Sequence, residues 1–184
     1  MSFISIFDVM GPNMIGPSSS HTAGAARIGF LAQKMINGPL KEVNFTLYGS
    51  FARTFKGHGT DRALLGGIMG FSTDDMRIRN SFEIAKEKGL TFSFTPNELE
   101  TDIHPNTVDI HMVNNNGQEM TVRGESLGGG KVRIGCSCLY HQMSQRSKCK
   151  YCLYAPFQRV QRRDCLHDRR IRWTSSRRYW KYDS

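Results

Sequence analysis

The fold is decided by the stretch TVDIHMVNNNGQEMTV, residues 107–122. Apolar side chains occupy every second position from Val108 to Met112, which is the period of a half-buried strand. The alternation resumes from Met120 to Val122, after an Asn-Gly pair that is the strongest short signal for a hairpin turn. We therefore expect two antiparallel strands joined by a tight turn.

Helix and strand patterns alternate along the sequence before this hairpin. Apolar residues recur at helical spacing from Thr22 to Ile36, whereas residues 42–48 alternate like a strand. The predicted helices are residues 22–36, 60–69 and 80–88, and the predicted strands are residues 42–48 and 91–95. This order predicts an α+β fold with helices on one face of a largely antiparallel sheet.

The net charge of +9 lies entirely in the last fifty residues. Residues 1–134 contain 13 Lys+Arg and 13 Asp+Glu, whereas residues 135–184 contain 12 basic and 3 acidic residues. All five cysteines and both tryptophans follow Ile134, and 17 of the 18 glycines precede it. We expect one domain over residues 1–134 and a separate basic, Cys/Arg-rich tail over residues 135–184.

No stretch approaches the roughly 18 apolar residues of a membrane span. The first eight residues also lack the positive charge of a secretory signal. We expect a cytoplasmic protein that does not contact a membrane.

Three segments carry a family resemblance. They are GPNMIGPSSSHTAGA at residues 11–25, KGHGTDRAL at residues 56–64 and ESLGGG at residues 125–130. Together they resemble the beta subunit of the iron-sulfur-dependent, two-chain L-serine dehydratase, or L-serine ammonia-lyase. The resemblance runs from the N-terminus to about Ile134, and Asn13 departs from it, since a small residue such as serine is expected there.

The resemblance implies a heterodimeric lyase of amino-acid catabolism and gluconeogenesis that converts L-serine to pyruvate and ammonia. It implies a partner alpha subunit that holds a 4Fe-4S cluster through cysteine thiolates. Residues 1–135 contain no cysteine and cannot supply such ligands, so we expect no metal in this chain and no activity from it alone.

The first two segments contain the candidate site residues. The resemblance implies that His21 and His58 are catalytic and that Ser18, Ser19, Ser20, Thr22, Gly59 and Thr60 bind the substrate. Hydroxyls and backbone N–H groups at a helix start suit a carboxylate, and glycines on both sides of His58 leave its ring accessible.

Each of these residues also has a simpler interpretation. The serines could only cap a helix, and His58 could hydrogen-bond a neighbouring backbone group in a tight loop. Thr60 and Asp61 fit helix caps better than catalysts. Gly128–Gly130 lacks the strand-helix context of a nucleotide loop and indicates a structural turn or a subunit contact. His104, Asp109 and His111 have no metal-site spacing, and we assign them no function.

The abrupt change of composition indicates that the tail is translated out of frame. In the resembling family a linker and a regulatory ACT domain follow at this point, and codons compatible with residues 150–173, read one base later, can encode an ACT-like strand pattern. We expect such a tail to be largely disordered. A zinc module would need a second pair of ligands spaced like Cys149 and Cys152. The other candidates, His141, Cys165 and His167, do not have this spacing.

Two other functions remain open on the sequence. Related folds serve as non-catalytic regulatory ligand-binding modules in phosphoglycerate dehydrogenases. The arginine pairs of the tail could bind nucleic acid nonspecifically, which we do not expect to be the function of the whole chain.

Overall fold

The computed structural model describes residues 13–100 and 102–136 and three short segments, 152–155, 171–174 and 179–182. The helical segments are a π-helical turn Ser19–Ala23, α1 Gly24–Gln33, α2 Gly49–Thr54, α3 Thr60–Ile68, a 3₁₀ turn Met76–Asn80 and α4 Ser81–Glu87. The strands are β1 Leu40–Tyr48, β2 Thr91–Asn97, β3 Thr107–Asn114, β4 Glu119–Gly128, β5 Lys131–Cys136, β6 Cys152–Ala155, β7 Ile171–Thr174 and β8 Tyr179–Tyr182.

Strands β1 to β6 form one sheet in the order β2-β1-β3-β4-β5-β6. Strand β2 runs parallel to β1, and the other neighbouring pairs are antiparallel. Strands β7 and β8 pair separately with each other. The predicted α+β fold with a largely antiparallel sheet is confirmed, and helices α2 to α4 lie on the connection between the two parallel strands.

The predicted hairpin joins β3 to β4. Gly117 turns the chain with a φ of 76°, which is unfavourable for residues with a Cβ atom. The side-chain oxygen of Asn114 accepts the backbone N–H groups of Asn116 at 3.0 Å and Gln118 at 2.8 Å. The turn chemistry of the sequence therefore sets the register of the central strands.

One face of the sheet carries the apolar core and the helices. The fully buried side chains Val43, Phe45 and Leu47 alternate along β1, and Phe45 stacks on Phe94 of β2 with ring centroids 4.6 Å apart. The opposite face is polar. There Arg123 donates two hydrogen bonds of 2.7 Å to Asp109, whose carboxylate also accepts the Tyr48 hydroxyl.

Helix α1 packs closely on its neighbours through glycines. A Cβ atom on Gly29 would collide with the carbonyl oxygen of Leu64, and one on Gly67 would collide with that of Ala26. A Cβ atom on Gly24 would likewise collide with the Ser126 side chain of β4. The absence of side chains at these positions lets α1 lie against both α3 and the sheet.

The start of α3 differs from the prediction. Thr60 does not cap this helix: Gly59 occupies the cap position in the left-handed region, with φ of 66°. Thr60 is instead the first helical residue and is fully buried, and its hydroxyl hydrogen-bonds to no residue that the structure describes. Because glycine adopts this conformation without strain, the cap lies at Gly59 and the helix begins one residue earlier than expected.

The boundary at residue 134 lies within β5, which continues to Cys136. In the tail, β6 extends the sheet beside β5. Other predictions about the tail fall on residues outside the described ones, among them His141, Cys149, Cys165, His167 and the arginine pairs. The disordered tail therefore stays a prediction.

Replacing Gly67 by alanine is expected to lower the free energy of unfolding by about 1–3 kcal/mol. The new methyl group would meet the Ala26 carbonyl on a packed helix, and this collision outweighs the gain in helix propensity of about 1 kcal/mol. Urea unfolding followed by far-UV circular dichroism measures the change. Gly57→Ala is the control, because its Cβ would meet Thr54 at an ordinary 3.7 Å. Equal stability of the two variants would contradict the close helix contact.

Candidate functional site

The π-helical turn before α1 places His21. The Ser18 hydroxyl accepts the backbone N–H of His21 at 3.1 Å, which fixes the start of the turn. The carbonyl of Ser18 accepts the N–H groups of both Thr22 at 2.9 Å and Ala23 at 3.3 Å, and the bond to Ala23, five residues on, is the π-helical one. Single π-helical turns are rare and frequently occur at functional sites. Ser18 therefore caps the turn, as the simpler interpretation expects, and the role of the serines in a site stays a prediction.

The imidazole of His21 lies between two hydroxyl groups. Its Nδ1 is hydrogen-bonded to Ser20 Oγ at 3.1 Å, and its Nε2 is hydrogen-bonded to Ser50 Oγ at 3.0 Å. The ring of Phe51 packs edge-on against it, with centroids 5.3 Å apart. The ring of His21 is therefore fixed in position and in plane.

The ring of His58 lies beside that of His21, with centroids 5.0 Å apart and planes inclined by 45°. Its backbone is held on both sides, because His58 N–H donates to Thr54 and the Thr22 hydroxyl donates to the His58 carbonyl. The side chain is exposed, and no residue that the structure describes hydrogen-bonds to its ring. His58 is thus anchored at its backbone while its ring can reach a ligand.

The pair has an electrostatic asymmetry. Burial lowers the pKa of His21 below its ordinary value, and the nearby His58 charge lowers it further. Two imidazolium ions with ring centroids 5.0 Å apart repel each other, which disfavours a positive charge on both rings at once. The arrangement suits the transfer of one proton between a substrate and His58 while His21 stays neutral.

Sequence reasoning missed Ser50 and Ser126. Ser50 belongs to α2, a short helix that the prediction left out, and Gly49 before it has a φ of 52° and lies against Pro105. The Ser126 hydroxyl donates to the Ser20 carbonyl at 2.9 Å. The sequence did offer one signal for Ser50, which is its position directly after the buried strand β1. Residue spacing alone could not predict its hydrogen bond to His21.

The structure brings Ser18, Ser20, Thr22 and His58 together with His21, and it places the other predicted residues around them. Ser19 contributes its carbonyl, which accepts the N–H of Gly24. Gly59 forms the cap of α3, and the buried hydroxyl of Thr60 has no hydrogen-bond partner among the described residues. Gly128–Gly130 forms the turn between β4 and β5, and the Gly130 carbonyl accepts a hydrogen bond from Arg27 at 3.0 Å.

The donor set does not fit an iron-sulfur cluster. Among the described residues no three His, Cys, Asp or Glu side chains lie close enough together to hold a metal ion. Two imidazoles surrounded by hydroxyl groups can instead transfer protons and hydrogen-bond to polar ligands.

An apolar cavity of about 290 Å³ lies beside α1, and neither histidine lines it. None of the described helices is long and apolar enough to cross a membrane.

The imidazole of His21 is expected to titrate below the ordinary histidine pKa of about 6.5. The unfolded chain then binds this proton more tightly, so folding stability falls as the pH drops below about 6.5. In His58→Gln the His21 pKa should rise but remain low, because burial is the larger cause. NMR titration of the ring C–H resonances measures both values. A wild-type pKa at or above the ordinary value would contradict this description.

Comparison with known proteins gives the family. The family model described as "Serine dehydratase beta chain" matches residues 2–135. The L-serine dehydratase beta chain of Peptoniphilus asaccharolyticus is 54% identical over 134 residues, and a probable L-serine dehydratase beta chain of Bacillus subtilis is 46% identical over the same length. Each alignment covers 73% of this chain and 60% of the relative.

A more distant match shows the same domain in a longer protein. L-serine dehydratase 1 of Escherichia coli is 28% identical over 155 residues, covering 70% of this chain and 33% of that protein. Residues 11–25 and 56–64, which hold the two histidines, both lie inside the matched family region. The chain therefore belongs to the serine dehydratase beta chain family.

Proposed function

We propose that this chain is the beta subunit of an L-serine ammonia-lyase, which deaminates L-serine to pyruvate and ammonia together with an alpha subunit. The observation that carries the proposal is the His21–His58 pair, with its rings 5.0 Å apart and surrounded by the hydroxyls of the Ser18–Thr22 segment. The beta chain names of the relatives support a partner chain, and their L-serine dehydratase names support the substrate.

The chain supplies binding and proton transfer in this proposal. Backbone N–H groups of the π-helical turn suit the serine carboxylate. The exposed imidazole of His58 takes the α proton, while neutral His21 keeps its hydrogen bonds to Ser20 and Ser50. Loss of the α proton and of the hydroxyl gives an aminoacrylate, which hydrolyses to pyruvate and ammonia.

The 4Fe-4S cluster is proposed to belong to the alpha subunit, because the described residues of this chain hold no suitable ligand group. There it would act as a Lewis acid on the departing hydroxyl. The site would then lie between the two chains, and the beta chain would be inactive alone. A cytoplasmic location, expected from the sequence, suits such a cluster enzyme.

The second part of the proposal concerns residues 135–184. The family match ends at residue 135, and the alignments leave about 40% of each of the two beta chain relatives unmatched. The excess positive charge begins at the same place. We infer that these residues replace the usual C-terminal module through a change of reading frame.

Resequencing the gene tests this inference. The expected result is DNA downstream of codon 135 that, in a shifted frame, encodes a sequence like the part of the relatives that the alignments leave unmatched. Intact-mass spectrometry of the protein from its own cells shows which form is made. If no shifted frame downstream of codon 135 encodes such a sequence, the frameshift is refuted.

Mixing this chain anaerobically with a cluster-loaded alpha subunit is expected to produce pyruvate from L-serine, whereas either chain alone produces none. His58→Gln should lower kcat by about 10²–10⁴-fold, because the proposed proton acceptor is removed. Pyruvate detection with lactate dehydrogenase measures the rate. His111→Gln is the matched control, because this ring lies on the polar sheet face, hydrogen-bonded to Thr121 at 2.9 Å.

A complete family beta chain, assayed with the same alpha subunit, shows that the alpha subunit is competent. The proposed function is wrong if that mixture forms pyruvate and the mixture with this chain forms none, even after the tail of this chain is replaced by the C-terminal module of the family. Full activity of His58→Gln would leave the family assignment intact but would remove His58 from the reaction.

A further inference from the structure

We propose that Ser50 is a positioning residue of this site: its hydroxyl oxygen accepts the Nε2 proton of His21 and fixes one neutral tautomer of that ring. The inference rests on the proposed function, because it assigns Ser50 a part in that reaction. Ser50 lies 29 residues after His21 and outside the three segments that carry the family resemblance. Its place in the site comes from the fold.

The hydroxyl groups around His21 form a directed chain of hydrogen bonds. Ser18 Oγ already accepts the His21 backbone N–H, so its own proton is available to Ser20 Oγ, 3.4 Å away. The Ser20 proton is then available to Nδ1 of His21 at 3.1 Å. Because a neutral imidazole with an accepting Nδ1 carries its proton on Nε2, that proton points to Ser50 Oγ at 3.0 Å.

The opposite direction is also compatible with these distances, and it would leave the free hydroxyl proton on Ser18 instead of on Ser50. In that order Ser50 would donate its proton to Nε2 and present only lone pairs to a carboxylate. In the proposed order the Ser50 proton is not used by His21 and can be donated to the substrate. Such a chain also polarises each successive hydroxyl group, which strengthens the terminal donor.

Helix α2 fixes the ring in a second way. Phe51, the residue after Ser50, is fully buried and packs edge-on against His21, with the planes inclined by 67°. Two consecutive residues thus set both the orientation of the imidazole and the position of its proton. The lowered pKa of His21, caused by burial and by the charge of His58, agrees with a ring that stays neutral.

The test is the ¹⁵N spectrum of the histidine rings in the full chain at pH 8. In the wild type, Nδ1 of His21 should resonate as an unprotonated nitrogen and Nε2 as an N–H nitrogen. Ser50→Ala should shift both resonances toward a mixture of tautomers, and Ser50→Thr, which keeps the oxygen, should restore the wild-type pattern. Ser93→Ala is the matched control, because Ser93 lies on β2 and is hydrogen-bonded to Asn44.

A wild-type pattern with the proton on Nδ1, or an unchanged pattern in Ser50→Ala, would overturn the proposal. If Ser50→Ala does not fold, the wild-type and Ser50→Thr spectra still show which ring nitrogen of His21 carries the proton, and so they still test the proposal. In the mixture with the alpha subunit, Ser50→Ala should lower kcat about tenfold, and Ser50→Thr should recover most of the rate. The spectra need no turnover, so they test the role of Ser50 on His21 even if the proposed reaction is wrong.

Discussion

The close contact between α1 and α3 is the constraint on which the site depends. Gly29 and Gly67 have no Cβ atoms, and the carbonyl oxygens of the facing helix occupy the space that those atoms would need. The N-terminal end of α1 continues from the turn that holds His21, and the loop before α3 holds His58. The helix contact, together with the hydrogen bond from Thr22 to the His58 carbonyl, therefore sets how closely the two rings approach.

The two imidazoles are held in different ways, and this difference gives them different chemistry. His21 is half-buried and hydrogen-bonded on both nitrogens, so it is suited to remain neutral and to orient neighbouring hydroxyls. His58 is anchored only through its backbone and keeps an exposed ring that can take up a proton. The proposed function therefore assigns the two imidazoles different parts in proton transfer.

Local patterns in the sequence predicted most of the fold, because alternation and turn residues act over short distances. The hairpin at residues 107–122 and the strand Leu40–Tyr48 are examples. Contacts between distant segments could not be predicted this way. Alternation does not say which strand lies beside β1, so the parallel pairing of β2 was not foreseen, and neither was the hydrogen bond between His21 and Ser50. The motif predicted His21, His58 and Ser20 as candidate site residues, whereas the partner Ser50 could be found only from the fold.

The central claim is that the edge of this domain with His21 and His58 faces a site shared with the alpha subunit. Carbethoxylation of the histidines, read by mass spectrometry, tests it directly. In the free chain the exposed His58 ring should be modified readily, and in the mixture with alpha and L-serine it should be protected while His111 keeps its reactivity. Equal modification of His58 in the free chain and in an active mixture would contradict the claim.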